Sequence, residues 1–140
     1  MNTPGVYKLF VYGSLRSGFK SHAYEYISRF FSFDGNGKVR GKLFDMGAYP
    51  AGVPADDGFI VGELYSIRNE AEFGWAMGQL DDYEGVSTEA DETQLHRREL
   101  VDVFTENITT KAWIYWYNGS VEGRPFIESG DLIQYLQQKK

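Results

Sequence analysis

The segment 112–117, Ala-Trp-Ile-Tyr-Trp-Tyr, is apolar or aromatic at every position. Successive side chains of a β-strand point to opposite faces of the sheet, so a strand of this composition has an apolar surface on both sides. A strand at the edge of a sheet, or one in a sheet with a solvated face, would expose one of those surfaces to water. The segment is therefore predicted to be a central strand of the sheet.

Glycines and turn residues divide the rest of the chain into short segments. Further strands are predicted at Val6 to Tyr12, Lys38 to Phe44, Phe59 to Ile67 and Leu95 to Phe104, and a short extended segment at Arg124 to Ile127. The strand from Leu95 to Phe104 is expected to pair with a strand from Thr110 to Tyr117. Helices are predicted from Ser21 to Phe31 with Ser21 as cap, from Glu70 with Asn69 as cap, and after Gly130-Asp131, and Gly47 to Gly58 is predicted to be irregular. Strands outnumber helices, and the helices interrupt them irregularly. This order favours an α+β domain built on a strongly curved sheet or a small barrel.

Length, charge and cysteine content limit the class of function. The 140 residues are about one average domain, so one domain spanning 1–140 is expected. A net charge of −6 disfavours nucleic acid as a partner, and the absence of cysteine excludes disulfides, thiolate metal sites and cysteine nucleophiles. Two histidines, His22 and His96, cannot build a metal centre alone. Because no apolar run is long enough for a membrane span and no signal-peptide pattern precedes the first strand, a cytoplasmic protein is expected.

The first candidate for chemistry is the end of the first strand, Val11-Tyr12-Gly13-Ser14-Leu15. A strand that ends in Gly-Ser exposes successive backbone N–H groups, which can hold a carboxylate, a phosphate or a developing oxyanion. The same residues also suit an ordinary turn in which Gly13 permits the bend and Ser14 bonds to its own backbone. The local pattern leaves both interpretations open.

The second candidate is Glu84. If the helix that begins at Glu70 continues through Tyr83, Glu84 follows Leu80 by four residues and Met77 by seven, so it extends the apolar stripe of this helix. The flanking Asp81-Asp82 pair is expected to turn away from the centre of the stripe. A carboxylate in that position is costly to ionise and suits a general acid/base. A solvated carboxylate in a frayed last turn fits the spacing equally well.

Four other polar residues are weaker candidates. Glu63 lies within a strand and is interpreted either as a second buried carboxylate or as the partner of a structural arginine, and the arginine pair is favoured. Arg97 and Arg98 are expected to point to opposite faces of their strand. One of them could neutralise a buried carboxylate or bind an acidic substrate, although a solvated or structural arginine is the commoner outcome. His96 has no nucleophile at a recognised spacing and is interpreted as structural or as a surface residue.

Several motifs, in order along the chain, resemble those of one family, the gamma-glutamylcyclotransferase-like proteins, which include the AIG2-like proteins. The similarity extends from about residue 7 to residue 132. The matching segments are Tyr12-Gly13-Ser14-Leu15, Gly62-Glu63-Leu64-Tyr65, Leu80-Asp81-Asp82-Tyr83-Glu84-Gly85, the arginine-bearing strand from Arg97 with Ala112-Trp113-Ile114-Tyr115, and Ile127-Glu128-Ser129-Gly130-Asp131.

The resemblance implies a small mixed β-barrel with flanking helices and a cavity between the Tyr12–Leu15 turn and the acidic segment. It implies an enzyme without metal or cofactor that converts a small gamma-glutamyl compound into 5-oxoproline and a free amine or amino acid. Carried onto this sequence, Glu84 matches the catalytic glutamate, and Tyr12, Gly13, Ser14 and Leu15 match the substrate-binding turn. The segment Gln94-Leu95-His96 differs from the family in having no tyrosine, which affects the leaving-group side of the pocket.

Two other functions fit the same cavity. One is a non-catalytic protein that binds a small acidic metabolite. The other is amide hydrolysis, in which water takes the place of the substrate amine. The sequence does not identify the leaving amine or the oligomeric state.

Overall fold

The computed structural model describes residues 6–13, 22–47, 50–84 and 96–138, and within these the backbone alone at 22, 23, 83, 84 and 138. The strands are β1 (Lys8–Val11), β2 (Phe31–Arg40), β3 (Lys42–Asp45), β4 (Pro50–Val53), β5 (Phe59–Ile67), β6 (His96–Phe104), β7 (Thr109–Tyr117) and β8 (Phe126–Ile127). The helices are α1 (His22–Phe30), α2 (Phe73–Glu84), which follows a 3₁₀ turn at Glu70–Glu72, and α3 (Leu132–Gln138).

Five of these strands form a closed barrel in the order β1-β5-β2-β6-β7. Four of the five junctions are antiparallel, and the barrel closes where β1 runs parallel to β7, with Leu9 opposite Trp113. The predicted α+β fold with a small mixed barrel is therefore confirmed. The prediction that the apolar segment 112–117 is a central strand is confirmed as well, because β7 lies between β6 and β1.

Alternation along the strands gives the barrel two separate cores. The inner core contains residues of all five barrel strands and is closed by side chains from outside the barrel: Phe10, Tyr12, Val39, Leu43, Ile60, Leu64, Val103, Ala112, Ile114, Trp116, Ile127 and Leu132. The outer core lies between one face of the barrel and the helices α1 and α2: Leu9, Val11, Ile27, Phe31, Tyr65, Ala76, Met77, Leu80 and Tyr115. The segments 9–11 of β1 and 112–116 of β7 contribute to both cores, which explains why they contain no charged residue.

A second, antiparallel sheet has the order β4-β3-β8. Its strand β4 lies against the end of β1, because a Cβ added to Gly52 would lie 2.6 Å from Cζ of Tyr12. The glycine at position 52 therefore lets the ring of Tyr12 pack directly on the backbone of this sheet.

The predicted strand from Lys38 to Phe44 is wrong in its bounds. The chain forms β2, which begins at Phe31, and then β3, and the two are separated by Gly41, whose N–H donates to the Gly58 carbonyl at 3.0 Å. A Cβ at Gly41 would lie 2.8 Å from both Ile60 Cδ1 and the Val53 carbonyl oxygen, so only glycine fits where the chain leaves the barrel. The first half of β2 contains Asp34-Gly35-Asn36-Gly37, which has the composition of a turn. It nevertheless pairs with β5, across a bulge between Phe33 and Gly35.

Other boundaries agree or differ by a few residues. The strand β5 has the predicted bounds, whereas β1 is shorter than Val6 to Tyr12 and β4 lies within the segment 47–58 that was predicted to be irregular. The predicted cap Asn69 accepts a hydrogen bond from the Ala71 N–H at 3.0 Å. The helix α2 continues to Glu84, as predicted, and α1 ends one residue before Phe31, while its predicted cap Ser21 lies outside the described residues.

Among the residues that the structure describes, no helix combines the length and the apolar character that a membrane span requires.

Candidate functional site

Four neighbouring strands place one residue each at the same level of the barrel, on the face that α2 covers. Glu63 of β5 is opposite Val11 of β1, and Arg98 of β6 is opposite Tyr115 of β7. Because Leu9 pairs with Trp113 in the parallel β1–β7 junction, Val11 and Tyr115 lie two residues further along both strands. A row of Glu63, Val11, Tyr115 and Arg98 therefore crosses the barrel where β1 ends, and we call it the polar row.

Asp81 of α2 binds two members of the polar row. Arg98 donates from Nε to Asp81 Oδ1 at 2.8 Å and from Nη2 to Oδ2 at 3.0 Å. The Tyr115 hydroxyl also donates to Asp81 Oδ1, at 2.8 Å. A two-pronged arginine–carboxylate pair fixes orientation as well as distance. The last turn of α2 is consequently held against the barrel by three hydrogen bonds to one carboxylate.

This arrangement corrects the expectation that Asp81 turns away from the apolar stripe of α2. Asp81 is buried, at 7% exposure, whereas Asp82 is exposed as predicted. Asp81 follows Met77 by four residues, so it lies on the same face of the helix as that buried methionine. The same spacing in the sequence could have identified Asp81 as a buried acid.

Arg97 and Arg98 point to opposite faces of β6, as the alternation of side chains along a strand predicts. Arg98 neutralises a buried carboxylate, and its guanidinium also lies 4.8 Å from the centre of the Trp113 ring. Arg97 points to the other face, where its Nε lies 2.7 Å from Glu99 in an exposed ion pair. Of the roles that the sequence left open, Arg98 neutralises a buried carboxylate, that of Asp81, and Arg97 is a partly solvated arginine.

Glu63 is the second buried carboxylate of this region, one of the alternatives that the sequence left open. It is 5% exposed, and its Oε1 accepts a hydrogen bond from the Tyr65 hydroxyl at 2.9 Å. The favoured arginine partner of Glu63 stays a prediction, since Arg98 is engaged by Asp81. His96, interpreted as structural or as a surface residue, is buried with its ring centre 5.9 Å from that of Tyr117.

The predicted substrate-binding turn begins where β1 ends. The ring of Tyr12 lies in the inner core, and its hydroxyl donates to the main-chain carbonyl of Tyr115. Gly13 follows in a bend beside Pro50, whose Cγ would lie 3.3 Å from a Cβ at that glycine. The described contacts of the Tyr12 side chain are therefore structural. Ser14 and Leu15 lie outside the described residues.

Glu84 is the last residue of α2. It follows Leu80 by four residues and Asp81 by three, and both of these are buried against the barrel. Positions three and four apart lie on one face of a helix, so the Cα of Glu84 lies on the barrel-facing side. The side chain of Glu84 and residue Gly85 lie outside the part of the chain that the structure describes, so the catalytic role of Glu84 stays a prediction. Among the described residues, no group of three His, Asp or Glu is arranged to hold a metal ion.

Comparison with known proteins identifies relatives along nearly the whole chain. Residues 9–134 match the family model described as gamma-glutamyl cyclotransferase, AIG2-like. A gamma-glutamylcyclotransferase family protein of Escherichia coli K12, YtfP, is 31% identical over 131 residues, which cover 90% of this chain and 96% of that protein.

Solved structures show the same fold. The solution structure of the E. coli protein ytfP superposes with a TM-score of 0.62 at 29% identity, covering 95% of this chain and 99% of that one. The crystal structure of a mouse AIG2-like protein gives a TM-score of 0.63 at 20% identity, covering 86% of this chain and 85% of that one.

Proposed function

The chain belongs to the gamma-glutamyl cyclotransferase, AIG2-like family, and we propose that it cyclises a gamma-glutamyl amine or gamma-glutamyl amino acid to 5-oxoproline and releases the amine. The observation that carries this proposal is the continuation of α2 through Glu84, on the face that holds the buried Leu80 and Asp81. The same last turn of α2 carries Asp81, which is bonded to Arg98 and Tyr115 of the polar row. The assignment of Glu84 as general acid/base rests on this position and on the family motif.

The reaction requires one nucleophile, one proton carrier and one site for negative charge. The neutral alpha-amine of the substrate attacks its own gamma-carbonyl carbon, so a carbon–nitrogen bond forms and closes a five-membered ring. The bond from the same carbon to the leaving nitrogen then breaks. Glu84 takes the proton that the attacking amine loses and delivers it to the leaving nitrogen. No water, metal or redox partner enters this balance.

Ring closure within one molecule makes orientation the larger part of the task. The backbone N–H groups from Gly13 to Leu15 are proposed to hold the substrate carboxylate or to stabilise the tetrahedral oxyanion. Arg98 is the cation of the polar row, but its guanidinium is bound to Asp81. We therefore assign the anionic group of the substrate to the backbone of the turn and not to Arg98.

The test is a mass-spectrometric screen of the purified protein against gamma-glutamyl amino acids, gamma-glutamyl amines and glutathione. Glu84→Gln keeps the shape of the side chain and removes proton transfer, and the exposed Asp82→Asn on the same helix is the matched control. We expect 5-oxoproline from the wild type and from Asp82→Asn. Turnover by Glu84→Gln should be lower by about 10²–10⁴-fold, the usual contribution of general acid/base catalysis.

Each alternative predicts a different result from the same screen. Free glutamate in place of 5-oxoproline would indicate amide hydrolysis. Thermal stabilisation by a panel member without any product would indicate a binding protein. A loss of less than about tenfold in Glu84→Gln would remove this residue from the mechanism. A small gamma-glutamyl substrate, the absence of a cofactor and a cytoplasmic location remain parts of the proposal.

A further inference from the structure

Tyr115 is bonded to both segments that the proposed function requires. Its main-chain carbonyl accepts a hydrogen bond from the hydroxyl of Tyr12, the residue before Gly13. Its own hydroxyl donates to Asp81 Oδ1 at 2.8 Å, three residues before Glu84. Tyr115 is 3% exposed, so both bonds are made away from solvent.

The bond to Asp81 fixes the end of α2. An α-helix rises 1.5 Å per residue, so the Cα of Glu84 is about 4.5 Å beyond that of Asp81 along the helix axis. Arg98 holds Asp81 from the neighbouring strand with two further hydrogen bonds. If the Tyr115 hydroxyl is removed, Asp81 keeps its ion pair, and the expected change is a small displacement of the last turn.

The bond to Tyr12 fixes the end of β1. The Tyr12 ring is also in close contact with the backbone at Gly52, so the ring has little freedom to move on that side. A shift of the Tyr115 main chain would therefore be transmitted to Tyr12 and to the adjacent Gly13.

We propose that Tyr115 is a positioning residue that sets the separation between Tyr12-Gly13, at the end of β1, and the last turn of α2. This inference rests on the proposed function, because those two segments are the proposed oxyanion site and the proposed general base. Tyr115 is not itself assigned a contact with substrate. Reacting groups must be held closely in place, since a displacement of about 1 Å can reduce the rate by about 100-fold.

The test compares Tyr115→Phe with Ser66→Ala. Each variant removes one hydroxyl group of a barrel strand, and that hydroxyl donates a hydrogen bond to an aspartate. Ser66 donates to Asp34 and lies on β5 three residues after Glu63, so it is away from the polar row. In Tyr115→Phe we expect kcat to fall by about 10- to 100-fold with KM little changed. Its melting temperature should fall by only about 2–4 °C. Ser66→Ala should retain kcat.

Two further measurements separate positioning from a loss of stability. Hydrogen–deuterium exchange should accelerate at the amides of residues 80–84 in Tyr115→Phe and not in Ser66→Ala. Tyr12→Phe should also lower kcat. The double variant Tyr12→Phe/Tyr115→Phe should lose less than the product of the two single losses, because both substitutions disturb the same separation.

The outcomes distinguish this inference from the proposed function. If the wild type forms 5-oxoproline and Tyr115→Phe retains its kcat, the positioning role is wrong and the function stands. Equal losses of kcat in Tyr115→Phe and Ser66→Ala would also overturn the positioning role. If the wild type forms no 5-oxoproline, the proposed function fails. The positioning role is then tested only by hydrogen–deuterium exchange at residues 80–84 of Tyr115→Phe. Unchanged exchange there would then overturn the link through Tyr115, and faster exchange would support it.

Discussion

Arg98 donates one hydrogen bond to each carboxylate oxygen of Asp81, from two nitrogens of the same guanidinium group. The side chain of Asp81 is 10% exposed and that of Arg98 is 26% exposed, so the pair is mostly removed from water. Removing one partner of a buried pair leaves the other charge uncompensated, which is more costly than the loss of the pair as a whole. The pair therefore makes the junction between α2 and the barrel sensitive to single substitutions.

Arg98→Met should destabilise the protein by about 2–3 kcal/mol, below the full cost of a buried unpaired charge because Arg98 is partly solvated. The measurement is the free energy of unfolding from urea denaturation at pH 7. Arg97→Met is the matched control, since its pair with Glu99 is exposed and should contribute less than about 1 kcal/mol. Equal losses in the two variants would contradict this assignment of the buried pair.

Gly52→Ala should destabilise the protein by about 1–3 kcal/mol, the usual cost of overpacking. The new methyl group would lie 2.6 Å from Cζ and 2.8 Å from the hydroxyl oxygen of Tyr12, which cannot move without breaking its bond to Tyr115. Thermal denaturation measures the effect. Gly74→Ala on α2 meets nothing within 4 Å and should instead stabilise the protein by up to about 1 kcal/mol, because alanine is the better helix former.

Tyr26→Phe should leave the stability unchanged or increase it. The Tyr26 hydroxyl is buried and has no hydrogen-bond partner among the described residues, and an unsatisfied buried polar group costs about 1–3 kcal/mol. Phenylalanine keeps the ring contacts with Phe30 and Trp75, whose centres lie 4.8 and 6.1 Å away. A clear loss of stability at pH 7 would show that the hydroxyl has a partner outside the described residues.

The same substitution has a pH-dependent effect. Burial raises the pKa of Tyr26 above its ordinary value of 10.0, Arg29 opposes this, and Glu72 adds to it. The unfolded chain therefore loses the tyrosine proton at a lower pH than the folded chain, so the stability of the wild type falls as pH rises above about 10. In Tyr26→Phe the free energy of unfolding should fall less between pH 9 and pH 10.5 than it does in the wild type. Denaturant unfolding of both proteins at these two pH values would measure the difference.

Asp131→Ala should destabilise α3 by about 1 kcal/mol. The Asp131 carboxylate accepts hydrogen bonds from the N–H groups of Ile133 at 3.1 Å and Gln134 at 3.3 Å, which is the geometry of a helix N-cap. Asp131→Asn should retain most of the stability because asparagine is an equally good cap. Urea denaturation of both variants would measure the difference, and similar losses would exclude capping as the role of this side chain.

Much of the fold follows from local patterns. The segment 59–67 is rich in β-branched and aromatic residues and forms β5 with the predicted bounds. The apolar segment 112–117 lies within a strand paired on both sides. The first half of β2 could not be recognised because Asp34-Gly35-Asn36-Gly37 has the composition of a turn. Pairing with β5 across a bulge overrides that local preference.

The candidate site could likewise be predicted only in part from the sequence. Burial of Glu63 and neutralisation of a carboxylate by one of the two adjacent arginines were among the alternatives that the sequence left open, and the structure has both. The sequence missed Asp81, because the acidic pair was assumed to be solvated, and it missed Tyr115, because an aromatic residue in an apolar strand resembles ordinary core. The bond between Tyr115 and Asp81 joins residues 34 positions apart, a relationship that no local pattern contains. The catalytic role of Glu84 stays a prediction.

The parallel junction between β1 and β7 has a consequence for how the protein is made. Leu9 is paired with Trp113, so the barrel cannot close until more than 100 residues have left the ribosome. Contacts between such distant segments slow folding, and the strands that await them expose unpaired edges. We expect nascent chains that stop before β7 to keep β1 accessible to chaperones, and the closed barrel to form in a late, cooperative step.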